Sequence, residues 1–374
     1  MFRRKRWAVV GALTTALVVI GDAAAAATNW TAVTPPSPSN TLLNGVFARA
    51  ANDVWAVGTQ FAAAGQTPQP PVTYHWDGVT WTRYTTPALG VNAALTAVSK
   101  STDGDVWAVG SIAAPGYRRR VALYEHWNGT GWTPVQDPTV GGLNGVITLS
   151  KDNAWAVGAL GAVVHWNGSA WTPVTVPNPN PANTFGNNLT AITAVNAGDI
   201  WAVGKFTDTS YTTSAYALHY IGGAWTVASM EQPSVSGPNS PILHAVTAVA
   251  SDNIWAVGEN QEVPGLGLST LVERWNGTAW KIVSSPTYGA YPALNGVAAT
   301  PAGDVYAVGF NQPSINGGTQ QGLLMHYTGG TWSQESTRLP AGTFSSLYGV
   351  TAAPGGEWAV GVNGSSQALV LRGS

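Results

Sequence analysis

The sequence predicts an all-β protein, a seven-bladed β-propeller of four-stranded blades that is closed by its N-terminal strand. Three observations predict it: a motif that recurs seven times, a fixed order of short strands within each repeat, and a regular distribution of tryptophan. The motif is W-A-V-G, and neighbouring copies lie 46 to 54 residues apart. Its aromatic residues are Trp55, Trp107, Trp155, Trp201, Trp255, Tyr306 and Trp358. Periods of about 40 to 50 residues are typical of propeller blades, so each copy marks one blade.

Each repeat divides into four short strands. The first is an L-x-G-V run or a close relative, such as Leu43–Val46, and the second contains W-A-V-G. The third ends near His-Trp, as at His75 and Trp76, and a turn of the Asn-Gly type leads to a fourth strand that begins at Trp81. Asn-Gly and Asp-Gly pairs between apolar residues are strong hairpin signals, because these residues accept a positive φ.

The seventh repeat runs out before its fourth strand. Residues 28–36 begin T-N-W-T-A-V, which matches the fourth strands that start at Trp132 and Trp171. We therefore expect residues 28–36 to supply the fourth strand of the last blade, which leaves no long sheet edge exposed. With this assignment each blade has one fourth-strand tryptophan: Trp30, Trp81, Trp132, Trp171, Trp225, Trp280 and Trp332.

Composition narrows the class of protein. Charged residues are only 9% of the 374-residue chain, against about 25% in an ordinary soluble domain. Low charge with abundant Gly and Trp is typical of β-rich extracellular proteins, and it argues against nucleic acid as a partner, which needs clustered Lys and Arg. Because cysteine is absent, the sequence excludes a disulfide framework, a thiolate metal site and a Cys nucleophile.

The N-terminus has the three parts of a secretory signal peptide. Basic residues 3–6 precede an apolar run over residues 7–20, and small residues follow over 23–27. We predict a signal peptide over residues 1–27, a single propeller over residues 28–374, and secretion to the extracellular space. An uncleaved anchor is the alternative, although the apolar run is shorter than the roughly 20 residues of a membrane span. No membrane span is expected in the mature chain, and the paired arginines leave both the Sec and twin-arginine routes open.

The period and the paired third- and fourth-strand aromatics resemble those of the kelch, galactose-oxidase and Asp-box propellers. More closely, the sequence is similar to the D-x-W-A-V-G…H-W-[ND]-G-x-x-W repeats of exported bacterial proteins of undefined function. This resemblance covers the whole of residues 28–374 and implies a fold without implying an activity. The chain departs from kelch in lacking a second-strand Gly-Gly pair, and from the Asp box in its shorter turn. The copper-radical chemistry of galactose oxidase needs a cysteine, so no cofactor is expected.

Polar residues that recur in register are expected to be structural. The third-strand positions align as His75, His126, His165, His219, Arg274, His326 and Arg372. Neighbouring copies must lie more than about 10 Å apart, because strands are spaced by about 4.8 Å, whereas a metal–nitrogen bond is about 2 Å. We therefore predict a repeated inter-blade hydrogen bond and no metal site. The Asp or Asn before each second strand is predicted to cap a turn, and the tryptophans to pack between blades rather than to bind carbohydrate.

Loop lengths distinguish two faces of the propeller. Strand alternation places the second-to-third and fourth-to-first connections on one face, and the opposite face carries short, near-identical turns. Between the second-strand Gly and the third-strand His or Arg, the seven repeats have 16, 15, 6, 14, 15, 16 and 10 residues. Variable loops on a rigid scaffold are where binding sites usually occur, so we expect function on the variable face.

Two charged loop segments are candidate ligand-binding residues on that face. The run Tyr117, Arg118, Arg119, Arg120 is the basic cluster of the mature chain, and its alternative interpretation is a solvated loop tip. In the fifth repeat, Glu259 and Glu262 either face this run or are merely exposed.

The third candidate is a polar ring at the channel mouth, formed by the residue after each first-strand Leu. Such a ring either holds a small polar ligand or orders water. The ring is Asn44, Thr96, Asn144, Thr190, His244, Asn295 and Tyr348. His244 is the histidine that lies outside the repeat register.

These patterns predict a secreted, non-catalytic binding module that recognises an extracellular glycan or protein through the variable loop face. The sequence contains no G-x-S-x-G elbow and no H-E-x-x-H motif, and no catalytic residues are assigned. The alternative is a secreted hydrolase or lyase that uses His244 with a loop carboxylate at the channel mouth, and a scaffold without a ligand ranks third. A monomer is expected.

Overall fold

The computed structural model describes residues 29–33, 35–62, 69–87, 89, 91–113, 116, 119–183, 186–233, 240–261, 267–314, 317–339, 342–364 and 366–373. Several sequence predictions lie outside these residues. They are the signal peptide of residues 1–27 and the loop positions Tyr117, Arg118 and Glu262.

The described residues form 28 β-strands and contain no α-helix. In chain order, β1 to β28 are Trp30–Ala32, Thr41–Ala50, Asp53–Gln60, Val72–Trp76, Trp81–Thr85, Ala93–Lys100, Val106–Ile112, Val121–Trp127, Trp132–Gly141, Leu143–Ser150, Asn153–Gly158, Val163–Trp166, Trp171–Pro173, Asn188–Asn196, Asp199–Thr207, Thr213–Ile221, Ala224–Ala228, Ser240–Ala250, Asn253–Gln261, Ser269–Trp275, Trp280–Ile282, Tyr291–Ala299, Val305–Gln312, Gln321–Thr328, Thr331–Gln334, Ser345–Ala353, Gly356–Asn363 and Gln367–Gly373.

The strands form seven antiparallel four-stranded sheets arranged in a ring, which confirms the predicted propeller. Blades 1 to 6 take successive groups of four, β2–β5, β6–β9, β10–β13, β14–β17, β18–β21 and β22–β25, and blade 7 is β26, β27, β28 and β1. Within each blade the strands lie in chain order, and the first strands of neighbouring blades contact one another. We call the side with the second-to-third and fourth-to-first connections the loop face, and the other side the turn face.

The N-terminal strand closes the ring as predicted. Strand β1 pairs antiparallel with β28, placing Trp30 opposite Gly373 and Ala32 opposite Leu371. Trp30 is completely buried and lies edge-on to Tyr306 of blade 6, with the ring centroids 5.9 Å apart. Because β1 covers the open edge of β28, the last blade has the same four strands as the others.

Aromatic side chains pack in one way at every blade junction. The second-strand aromatic of one blade lies edge-on to the fourth-strand Trp of the next, as Trp55 does to Trp132 with centroids 5.4 Å apart at 86°. The other pairs are Trp107–Trp171, Trp155–Trp225, Trp201–Trp280, Trp255–Trp332, Tyr306–Trp30 and Trp358–Trp81. Edge-to-face contact is a favoured geometry for buried aromatics, so the interpretation as inter-blade packing is confirmed.

The third-strand histidines bond within their own blade, so the predicted inter-blade bond is wrong. His75 Nε2 lies 2.9 Å from Oδ1 of Asp53, the first residue of β3 in the same blade. The same pairing joins His126 to Asp105, His165 to Asn153, His219 to Asp199, His326 to Asp304 and Arg274 to Asn253. The antiparallel register is the reason, because it sets His75 opposite Trp55, two residues from Asp53. The Asp and Asn side chains therefore contact the third-strand His or Arg of their own blade and do not cap a turn.

Asp53 also reaches the neighbouring blade. Lys100 Nζ of blade 2 lies 2.6 Å from its second carboxylate oxygen. Burial alone raises the pKa of Asp53, but the bonds from His75 and Lys100 outweigh burial and lower that pKa to about 2. The carboxylate is therefore ionised at neutral pH and joins blades 1 and 2 on the turn face.

Candidate binding site on the loop face

A β-bulge in the first strand of each blade places the polar ring. In blade 1 Leu43 pairs with Gly58 and Gly45 with Val57, so Asn44 has no partner on β3. The same register shift skips Thr96, Asn144, Thr190, His244, Asn295 and Tyr348. A bulge leaves one residue outside the ladder and redirects its side chain. The ring side chains consequently gather at the channel mouth, where together with Asn188 they line a cavity of about 260 Å³.

Most ring residues hydrogen-bond the next blade. Asn44 Nδ2 donates to the carbonyl oxygen of Leu95 at 2.7 Å, which links the first strands of blades 1 and 2. Equivalent bonds of 2.6 to 2.8 Å run from Thr96 to Leu143, Asn144 to Leu189, Thr190 to Leu243 and Asn295 to Leu347. Five of the seven junctions are therefore joined by the ring, so these five side chains have a structural role whatever they bind.

His244 and Tyr348 break this pattern. Among the described residues neither donates to the leucine carbonyl of the next blade, and His244 Nε2 instead lies 3.9 Å from Oε1 of Glu259 on β19. Glu259 therefore lies beside the polar ring. Among the described residues, His244 and Tyr348 are therefore the ring members whose side chains do not make the blade-joining bond.

Arg119 and Arg120 lie beside the ring on the loop face. Arg120 donates to Oγ and O of Ser111, both at 2.7 Å, and burial lowers the pKa of its guanidinium, although arginine stays charged at neutral pH. Arg119 makes one long bond, 3.4 Å, to the carbonyl of Thr139. Both arginines share a cavity of about 310 Å³ with Asn144, so the structure brings the basic run and the ring together. No carboxylate of the described residues forms an ion pair with either.

The short loop of blade 3 opens a groove next to Arg119. Only a tight turn joins β11 to β12, with Leu160 and Gly161 both at positive φ (62° and 71°). Above this turn lies a groove of about 380 Å³, which we call the blade-3 groove. Most of the residues that line the groove are apolar, and the polar ones include Arg119, Asn187 and Tyr216. The apolar ones include Val140, Leu160, Val163, Pro173, Val174, Val176 and Pro177.

Asn187 is a functional candidate that the sequence analysis missed. It is 5% exposed, and its Nδ2 donates to Asn178 Oδ1 at 2.6 Å. Its own Oδ1 is buried and has no hydrogen-bond partner among the described residues. A buried unpaired acceptor costs about 1–3 kcal/mol, so this oxygen is suited to a ligand N–H. The 6-residue spacing in the third repeat was the available signal, because it indicates a short second-to-third connection in this blade.

The described residues contain no group of three or more His, Cys, Asp or Glu side chains that could hold a metal ion.

Within the described part of the chain, no helix has the length and apolar character needed to cross a membrane.

With the fold and the loop-face geometry established, the chain belongs structurally to the seven-bladed β-propellers. It matches no protein-family model, and no curated protein matches it. Solved propellers match over most of its length. "YCF48 bound to D1 peptide" has a TM-score of 0.57 and 17% identity, over 92% of this chain and 96% of that one. YCF48 from Cyanidioschyzon merolae has a TM-score of 0.55 and 18% identity, over 92% and 98%.

The WD40 propeller domain of Doa1 is similar to the same extent, with a TM-score of 0.57 at 10% identity over 92% of this chain and 97% of that one. At these identities the likeness shows the fold alone. The resemblance to kelch and Asp-box propellers is accordingly supported for the fold and not for a sequence family.

Proposed function

We propose that this chain is a non-catalytic binding module that holds a polypeptide segment of a partner protein in the blade-3 groove. The observation that carries the proposal is the groove itself, whose mainly apolar lining includes Asn187 and Arg119. Within the described part of the chain, Asn187 Oδ1 is buried without a hydrogen-bond partner, and Arg119 has one long bond to a backbone carbonyl and no ion pair with a carboxylate. The YCF48 propeller with a bound peptide supports a polypeptide as the ligand class for this fold.

The chemistry of the groove favours a polypeptide over a glycan. Eight of its twenty lining residues are valine or proline, and Leu160, which also lines it, is 40% exposed. Apolar side chains of a peptide bury well against such walls, at roughly 25 cal/mol per Å². A peptide N–H satisfies Asn187 Oδ1, and an acidic side chain or a C-terminal carboxylate satisfies Arg119. A glycan has few apolar groups for the same surface.

We further propose that the partner is extracellular, on the strength of the signal-peptide pattern in residues 1–27. Secretion of the full-length chain with cleavage near Ala27 is the direct check, and N-terminal sequencing of the secreted form identifies the site.

Leu160→Asp tests the groove. We expect the substitution to weaken peptide binding about tenfold or more, because a carboxylate replaces an apolar floor and each 1.4 kcal/mol is a factor of ten. Aspartate accepts the positive φ at this position better than most residues, so folding is retained. Peptides selected on the mature chain from a random library are the probe, and calorimetry measures their affinity.

The matched control is Val79→Asp, which changes another exposed apolar turn residue, 84% exposed, on the turn face. It should leave affinity unchanged. Equal loss with both variants, or selection of glycans and no peptides from parallel arrays, contradicts the proposal.

The second candidate is the hydrolase or lyase, and the pair of His244 and Glu259 favours it. A histidine that lines a cavity and lies 3.9 Å from a carboxylate oxygen is an arrangement that general acid–base catalysis uses. Under this alternative, His244→Ala abolishes turnover of neutral polysaccharide or ester substrates with an unchanged melting temperature. Asn44→Ala serves as the contrast, because it removes a blade-joining bond and should lower the melting temperature instead. Wild-type inactivity across such substrates rejects the enzyme.

A further inference from the structure

Another concave surface lies on the outer rim of the propeller, between blades 2 and 3. This rim cleft has a volume of about 450 Å³ and is separate from the blade-3 groove on the loop face. The residues that line the cleft include Tyr124, His126, Val135, Asp137, Trp166 and Trp171. Cavities of about 300–1,000 Å³ are typical of small-ligand sites.

At the neighbouring junction, between blades 1 and 2, an aromatic side chain occupies the place that corresponds to the cleft. In blade 1 the third residue after the fourth-strand Trp is Tyr84, whose ring packs on Trp127 of blade 2 with centroids 4.6 Å apart. The same position in blade 2 is Val135, which is 47% exposed. A valine cannot reach the third-strand Trp166 of blade 3 as Tyr84 reaches Trp127. The aromatic side chain that fills the outer part of junction 1–2 is therefore missing at junction 2–3.

Indole surface is accessible in the cleft. All seven fourth-strand tryptophans lie in the described residues, and six are buried with at most 7% exposure. Trp171 is the exception and is only partly buried, as is Trp166 beside it. Trp171 stacks on Tyr124 with centroids 4.9 Å apart at 22°. Its accessible part faces the cleft, which therefore has an aromatic wall.

Polar groups surround this wall. The Tyr124 hydroxyl is buried and has no hydrogen-bond partner among the described residues, and burial together with the nearby Asp137 raises its pKa, so it remains a donor at neutral pH. Asp137 Oδ1 accepts from the backbone N–H and the hydroxyl of Thr139, which holds the carboxylate in place. His126 Nε2 contacts Asp105, and its other ring nitrogen is left for the cleft.

We propose that the rim cleft binds one neutral pyranose unit of a glycan. A pyranose has an apolar face of C–H groups, which packs against the indoles of Trp166 and Trp171, and a rim of hydroxyls that both donate and accept. The Asp137 carboxylate accepts from such hydroxyls in a charge-assisted bond, and Tyr124 and His126 complete the set. This site is independent of the proposed polypeptide groove.

The charge of the cleft decides between sugar classes. Its lining contains one carboxylate, Asp137, and no Lys or Arg. An acidic sugar would place its carboxylate near Asp137 without a cation to offset it, so the cleft selects against uronic and sialic acids. A neutral hexose or pentose meets no such repulsion.

Val135→Tyr is the test, because it installs in blade 2 the side chain that blade 1 already has. The probes are methyl glycosides and tetrasaccharides of glucose, galactose, mannose, xylose and N-acetylglucosamine, with methyl glucuronide as the acidic comparison. Ligand-observed saturation-transfer NMR detects binding, and calorimetry measures affinity. Wild type should bind at least one neutral probe with a Kd of about 10 mM or tighter, and Val135→Tyr should weaken that binding about tenfold or more with an unchanged melting temperature.

The matched control is Val227→Tyr, which adds a tyrosine at a 41% exposed fourth-strand position of blade 4. It should bind as wild type does, and Leu160→Asp should too, which separates this site from the polypeptide groove. Three outcomes overturn the proposal: no neutral probe binds the wild type, methyl glucuronide binds best, or Val135→Tyr leaves sugar affinity unchanged. Asp137→Asn should reduce affinity for the same probe. If this variant keeps the wild-type affinity, the carboxylate does not contact the sugar.

Discussion

A mature chain that lacks residues 28–36 will unfold at a markedly lower temperature than the intact one. The deletion removes β1, whose Trp30 is fully buried against blade 6, and exposes the edge of β28. Loss of a buried Trp side chain alone costs about 3–5 kcal/mol, and in a large domain each kcal/mol shifts melting by roughly 2 °C. We expect a fall of about 6 °C or more by calorimetry, together with aggregation from the open edge.

Two controls accompany the deletion. Trp30→Ala in the full mature chain keeps the strand and should melt between the two forms. Removal of residues 28 and 29 alone leaves β1 in place and should change little. A chain without residues 28–36 that melts within about 2 °C of the intact one would show that β1 contributes nothing to stability, since that shift corresponds to only about 1 kcal/mol.

The second large effect is a loss of stability as pH rises from about 5 to 8. Glu125 and Glu273 occupy equivalent third-strand positions in blades 2 and 5 and are both 0% exposed. None of their four carboxyl oxygens has a hydrogen-bond partner among the described residues. Burial raises the pKa of each from its ordinary 4.5 to about 8, with the charge of Glu231 adding to the shift at Glu273.

The direction of this pH dependence follows from the protons that the folded and unfolded states bind. Below pH 4.5 both states hold these protons, so neither carboxyl makes stability depend on pH. Between pH 4.5 and about 8 only the folded state holds them, and stability falls as pH rises. Above about pH 8 the loss is complete and amounts to a few kcal/mol per carboxyl, since one pKa unit corresponds to about 1.4 kcal/mol.

Glu125→Gln with Glu273→Gln removes this dependence, because glutamine mimics the protonated carboxyl in shape. Urea denaturation at pH 5, 6.5 and 8.5 should show that the free energy of unfolding of the double variant increases relative to that of wild type as pH rises. The exposed carboxylate variant Asp152→Asn is the comparison and should follow wild type. A difference between double variant and wild type that is constant across the three pH values contradicts the raised pKa values.

The repeat pattern was sufficient to predict the ring of blades. W-A-V-G copies 46 to 54 residues apart, with one fourth-strand tryptophan each, specify seven similar sheets, and the similarity of Trp30 to Trp132 and Trp171 predicted the closure. The period predicts the fold because every blade packs on its neighbours in the same way, so the same types of residue recur at the same positions of each repeat. The ring of polar residues was also predicted correctly in its membership, from the position after each first-strand leucine.

The hydrogen-bond partners of the polar residues, both in the ring and on the third strands, were less predictable than the fold. The third-strand histidines bond within the blade because of a cross-strand register that sequence spacing does not specify. Asn44 and its four counterparts hydrogen-bond the next blade because a bulge redirects them, and an extra residue in one strand leaves no mark in a pattern of apolar residues. His244 and Tyr348 are distinguished from the other five only by these contacts.

By itself, the sequence determined the fold class, the number of blades, their closure by residues near Trp30, and the variable face, because all of these depend on repeated local patterns and on loop length. Tertiary structure alone decided which surfaces are concave and unfilled. Asn187 becomes a candidate because its side-chain Oδ1 is buried at the blade-3 groove with no hydrogen-bond partner among the described residues, and Trp171 because it lines the rim cleft and is only partly buried. Both depend on residues distant in sequence meeting across a blade junction, and such contacts exist only once the ring has closed.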